Sequence, residues 1–182
     1  MPASGHSRPP TILQLYDVPA RFTHRAEDVL ELAFLAESDA LVIYLEAGDL
    51  LDVVAHRAGL AEEGHQGDPT LEFEHLIARL LTAGIATRRM QLAVVFTGWE
   101  RLSAPSLGEP PLNDRTGLRE WLEGHGLDNI VRLARDNFAG CAFFGIPSPA
   151  GTDAAVRGAA APLAWVLSRR GLKVSVPAEV AG

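Results

Sequence analysis

The chain has 182 residues, 47% of them apolar and 21% charged. That is long enough to bury roughly 70% of its unfolded surface and lies outside the composition of disordered segments. Sixteen basic residues against 23 acidic ones leave a net charge of −7, which disfavours a nucleic-acid binder held through backbone phosphates.

Apolar runs at 40–45, 92–96 and 159–167 are shorter than the ~20 residues of a membrane span, so no membrane partner is expected. No basic segment followed by an apolar run opens the chain, so no secretory signal is expected either. A single cysteine, Cys141, excludes an internal disulfide and fits a reducing cytoplasm. Of the sixteen basic residues only Lys173 is a lysine, and no glycine-rich loop ending in Lys-Ser or Lys-Thr, the cradle that grips β- and γ-phosphates, can be written.

In chain order, residues 1–10 are rich in Pro, Ser and Gly and read as a disordered leader. Thr11–Tyr16 reads as a strand closed by Asp17 and Pro19. Thr23 is suited to cap a helix with Glu27 and Asp28 in its first turn and Ala26, Val29, Leu30, Ala33 and Phe34 on one face. Residues 40–45 are continuously apolar, the pattern of a parallel strand covered on both faces.

Residues 46–67 read as a mixed connection, partly helical at best. Asp68-Pro69 opens a helix with Phe73, Leu76, Ile77, Leu80 and Leu81 inward, fading near Gly84. A third strand covers 92–97, then a loop at 103–112, then helical signals from Asp114 that break at Gly124 and Gly126 and resume through Phe138. The fourth strand is Cys141–Ile146. A last helix covers about 153–170, where Pro162 implies a kink or a late start.

Strands alternating with helices predict an α/β fold, a three-layer αβα sandwich around a mostly parallel sheet with right-handed crossovers. No repeat or second domain is evident. In such sheets ligands bind at the carboxyl ends of the strands, which singles out Asp17, Glu46, Thr97, Glu100, Ser148 and Ala150; taken singly, each is also an ordinary turn or cap residue. His56, His65 and His75 have no zinc-like spacing, and Cys141, inside an apolar strand, reads as a small core residue. Trp99 at a strand end is placed to stack on a base or a partner, whereas Trp121 and Trp165 read as core.

The series LQLYDVPA, ALVIYLEAGDLLD, LAVVFTGWERL, FFGIPSPAG and APLAWVL resembles, over roughly residues 11–170, the later two-thirds of a GTPase domain. The nearest likeness is to the bacterial double-GTPase-like branch of the translation-factor-related P-loop GTPases, found in GTPase-associated conflict systems. The resemblance implies that Asp17 begins an eroded DxxG whose aspartate supports magnesium through water, with Ala20 where the family has the switch glycine. Thr97 and Glu100 stand at the ends of an eroded (N/T)KxD, with glutamate in place of the guanine-reading aspartate. Ser148 and Ala150 loosely match the base-contact loop.

The family's first strand, P-loop, helix and switch I have no counterpart upstream of Thr11. In the family topology that missing strand lies between those represented by 11–16 and 40–45, which leaves two sheet edges to close on each other or to receive another strand. An upstream start is a third solution. The resemblance thus implies a truncated GTPase-like topology over 11–172 with a C-terminal tail at 173–182.

Three functions follow. The first is a pseudo-GTPase binding or regulatory module that needs no cofactor of its own and acts with a partner GTPase or a component of the same system. The second is part of an active GTP hydrolase whose P-loop lies upstream or on another chain, binding GTP or GDP with magnesium once completed. The third is an unrelated small α/β domain with an acid-lined pocket.

Overall fold

Leu92–Phe96 is a run of five apolar residues with β-branched valines at its centre, and such a run suits a strand with no wet face. All five are buried. A computed structural model describes residues 14–16, 26–57, 69–99, 115–147 and 153–172. Its elements are α1 (Ala26–Glu31), β1 (Ala40–Glu46), α2 (Ala47–Arg57), α3 (Pro69–Thr82), β2 (Gln91–Thr97), α4 (Arg115–Gly124), α5 (Asp128–Asn137), β3 (Gly140–Ile146) and α6 (Asp153–Arg169).

The three strands form one parallel sheet in the order β1-β2-β3. Their register runs from Ala40, Gln91 and Gly140 at one end to Glu46, Thr97 and Ile146 at the other.

Side chains alternate between two apolar layers. Leu92, Val94 and Phe96 join Ile43, Leu45 and Phe143 beneath Leu50 of α2, Phe73, Ile77 and Leu80 of α3, Trp121 of α4 and Ile130 of α5. Ala93, Val95, Ala142, Phe144 and Ile146 face the other way, against Trp165 and Val166 of α6. This is the three-layer αβα arrangement expected. Each fully buried large side chain contributes about 1.5–3 kcal/mol, so the layer carrying Phe73, Phe96, Leu80 and Leu122 dominates the stability.

Several elements differ from the sequence expectation. The helix predicted over 23–34 is shorter within the described residues: α1 ends at Glu31, Leu32 interrupts, and a 3₁₀ turn follows at Ala33–Glu37. The expected face changes with it: Val29 stays buried, but Phe34 is half-buried and Ala33 exposed, while Leu35, outside the expected face, is buried because the tighter turn rotates it inward. The connection after β1 begins as an 11-residue helix directly joined to the strand; Ala47, Leu50, Val53 and Val54 bury its apolar stripe. Pro162 lies inside α6, which has already begun at Asp153, so a late start is ruled out. Residues 14–16, the described part of the strand predicted over 11–16, carry no strand, and the sheet among the described residues has three strands. No helix among them is long and apolar enough to cross a membrane.

Candidate functional site

The common register aligns Glu46, Thr97 and Ile146 on the carboxyl rim of the sheet. Thr97 is the only member of the predicted set Asp17, Ala20, Thr97, Glu100, Ser148 and Ala150 that the structure describes; the other five lie outside the described residues. Its Oγ1 donates to Glu46 Oε2 at 2.9 Å and also lies 3.3 Å from the Leu45 carbonyl oxygen. A hydroxyl has one proton to give, so this side chain serves as a latch between the ends of β1 and β2.

Gly98 follows with φ +67°, in the left-handed region, and turns the chain sharply inward. Trp99 is consequently 0% exposed, with its ring 5.6 Å from Phe96 and 5.3 Å from Trp121. The expectation that Trp99 stacks on a base or partner is therefore corrected. The positive-φ glycine sends the indole into the core instead of leaving it on the rim. Trp121 and Trp165 are buried, as expected.

The described part of the rim is a poor fit for a triphosphate. It presents a carboxylate hydrogen-bonded to a hydroxyl, and the Glu46 charge opposes phosphate oxygens. At the β3 end, Arg115 stands 5.2 Å over the Phe144 ring, an attraction of cation to π-face. Among the described residues there is no cluster of three or more His, Cys, Asp or Glu placed to hold a metal. Cys141 is half-buried, and burial pushes its thiol up, partly opposed by the positive charges of Arg135 and Arg119. Such a thiol is a weak nucleophile, which agrees with its reading as a packing residue.

A second feature lies on the open side of the sheet. A cleft of about 650 Å³ runs along β1 from Ala40 to Tyr44, with Gln14, Leu15 and Tyr16 forming part of its lining. Tyr16 is stacked on Phe34, ring centroids 4.2 Å apart. None of the described residues that line this cleft is charged. Leu15 is 72% exposed and Tyr44 58%. Sequence reasoning placed 40–45 in a sheet covered on both faces, and the signal against it was small: a tyrosine and a glutamate at positions 44 and 46, both on the same side of the pleat as Val42.

Compared with known protein families, with curated proteins and with solved structures, the chain matches none.

Proposed function

We propose that the chain is a degenerate GTPase-like module that binds or regulates a protein partner, itself a GTPase or a component of the same system, without a phosphate-gripping loop of its own. The observation that carries this reading is the cleft between residues 14–16 and β1. It lies where the resemblance places the family's phosphate-binding strand.

Two further features support it. The strands bearing the second, third and fourth motif blocks are consecutive neighbours in one parallel sheet. The threonine of the eroded guanine motif fastens β2 to β1 through Glu46 and the Leu45 carbonyl. Phosphoryl transfer is catalysed chiefly by positioning and by neutralising phosphate charge, and the described part of the rim, headed by Glu46, supplies neither. The module thus works by binding and not by hydrolysis.

The test is calorimetry of the purified chain with GTP and with GDP in the presence of Mg²⁺, alongside a phosphate-release assay. The expected result is no binding in the micromolar range and no turnover. Micromolar affinity for guanine nucleotide by the chain alone overturns the reading, and loss of guanine preference in Glu100→Ala would then assign the chain to the active-GTPase class.

A further inference from the structure

The outer edge of β1 has no strand partner among the described residues, and nothing in its sequence guards it. Edge strands are commonly kept from pairing by short length, proline, bulges or charges set along them. β1 is seven residues long and contains no proline, and its single charge, Glu46, comes last. Its register with β2 runs unbroken from Ala40 to Glu46, so no bulge turns the edge away. Leu15, Tyr16 and Tyr44, three of the five large apolar side chains exposed among the described residues, line the cleft beside it. β3, at the opposite edge, has no exposed residue, so β1 is the edge that offers a surface.

Among the described residues the cleft has room for one more strand. A strand inside a layered sheet takes up about 4.8 Å across, about 3.3 Å along per residue and about 10 Å between layers, or about 160 Å³ per residue. A volume of about 650 Å³ therefore holds about four residues. Residues 14–16 also line it without forming a strand, and the Tyr16 ring rests on Phe34, outside β1.

The sequence of β1 is complementary to itself. A two-fold axis normal to the sheet at Ile43 pairs the strand antiparallel with its copy. On the α3 face Ile43 then meets Ile43, and Leu41 meets Leu45; on the α6 face Val42 meets Tyr44. Ala40 meets Glu46, so no like charges oppose each other along the pair. The same axis sets the amino end of each β1 against the carboxyl end of the other. The amino end carries two exposed arginines: Arg170 pairs with Asp39, the residue before β1, and Arg169 Nε donates to Gln91 Oε1 at 3.4 Å. The carboxyl end carries exposed Glu46 and Asp49. A guanidinium has five N–H donors, enough for Arg170 to hold Asp39 and the second copy's Glu46 together. Each chain carries a net charge of −7, which opposes association in general, so this local matching of opposite ends selects the orientation.

We propose that two copies of this chain associate edge to edge through β1, joining their sheets across a central antiparallel pair. The contact is isologous: both copies use the same edge, so the assembly closes at two. It satisfies the outer backbone groups of β1 in both copies at once and covers Tyr44. An extended segment of another protein would compete for the same groups, so dimerisation also controls access to them. This inference stands on the sheet edge and does not depend on the nucleotide-switch reading.

Sedimentation of the full chain over a concentration series tests it, and a species of twice the chain mass is expected in the micromolar range. Tyr44→Lys, at an exposed position, sets a charge against Val42 of the second copy and should weaken the dimer at least about tenfold. Arg170→Glu and Glu46→Arg should each weaken it about tenfold, because each brings like charges together at both ends. Mixed with each other, these two variants should regain the dimer, since both end contacts then join opposite charges. Tryptophan fluorescence in urea checks that each variant is folded. Hydrogen exchange across 40–46 should slow as the chain is concentrated, while 128–146 stays unchanged. A chain that remains monomeric at about 100 µM overturns the proposal. So does a dimer indifferent to Tyr44→Lys, or one that the mixture fails to restore. Protection of 40–46 that is independent of concentration also overturns it and assigns the edge to a segment of the same chain.

Discussion

Of the rim residues singled out from the sequence, Glu46 and Thr97 are described, and the role of Thr97 is measurable. Thr97→Val keeps the side-chain shape and deletes the hydroxyl that joins β2 to Glu46 and to the Leu45 carbonyl. A hydrogen bond to a charged acceptor contributes about 1.5–3 kcal/mol when well shielded, whereas exposed charged pairs couple by only about 0.2–1 kcal/mol. Glu46 is exposed and Thr97 half-buried, so the shielded value does not apply. The expected cost of Thr97→Val is about 1 kcal/mol, a fall in Tm of about 2–4 °C for a chain of this length.

Glu46 makes a further interaction besides this one, so a single substitution there mixes two effects and only a double-mutant cycle isolates the pair. With Glu46→Ala as the partner variant, the coupling should be about 0.5–1 kcal/mol. Urea unfolding followed by tryptophan fluorescence measures all four species, with buried Trp99, Trp121 and Trp165 as reporters. A coupling indistinguishable from zero refutes the latch. A coupling above about 2 kcal/mol would refute the reasoning from exposure, because it requires a dry, shielded pair.

Trp99→Ala should cost about 3–5 kcal/mol, the range for emptying a buried aromatic site, and a loss under about 1 kcal/mol in the same urea assay would return Trp99 to the surface. Gly98→Ala should cost about 1–2 kcal/mol through the left-handed backbone alone; a neutral result would mean that the turn relaxes to negative φ. Burial raises the Cys141 thiol above its ordinary value despite Arg135 and Arg119. The protonated thiol is thus favoured in the native state, and its contribution is complete below about pH 8.5, then lost as pH rises through the higher folded value. Cys141→Ala should therefore flatten the alkaline decline of stability above about pH 8.5, and an unchanged decline would show that burial does not control this thiol.

The three described strands, the order of elements and most of the buried face of α3 were legible because each rests on a period; Leu81, also expected inward, is instead 46% exposed near the end of the helix. Leu92–Phe96 is too apolar to be anything but a doubly covered strand, and Phe73, Leu76, Ile77 and Leu80 repeat at helical spacing behind a proline at the first position. The fate of Trp99 was not legible. Its direction depends on the φ of Gly98, and a glycine's sign of φ is not written in its neighbours. Nor was the helix after β1 legible in full: its stripe of Ala47, Leu50, Val53 and Val54 is apolar enough, but Gly48 and two aspartates within six residues weaken the local preference, and tertiary packing overrides it. At the site the sequence identified a rim, and Thr97 is on it; what the sequence left out was that its hydroxyl is already engaged with β1.

Among the described residues the two faces of the sheet are unequally covered, and this sets where the fold opens most easily. Among the described elements, α2 to α5 together with α1 cover one face, while α6 lies on the other, mainly over β2 and β3. β1 is therefore the least enclosed strand both sideways and on the α6 face, as Val42 and Tyr44 record. Local opening requires little free energy where few apolar contacts and few paired backbone groups are lost, so opening near β1 is easier than at β2, whose five central residues are all buried. The rim, latched by Thr97 and backed by the Trp99–Trp121 contact, is by the same reasoning the stiff end.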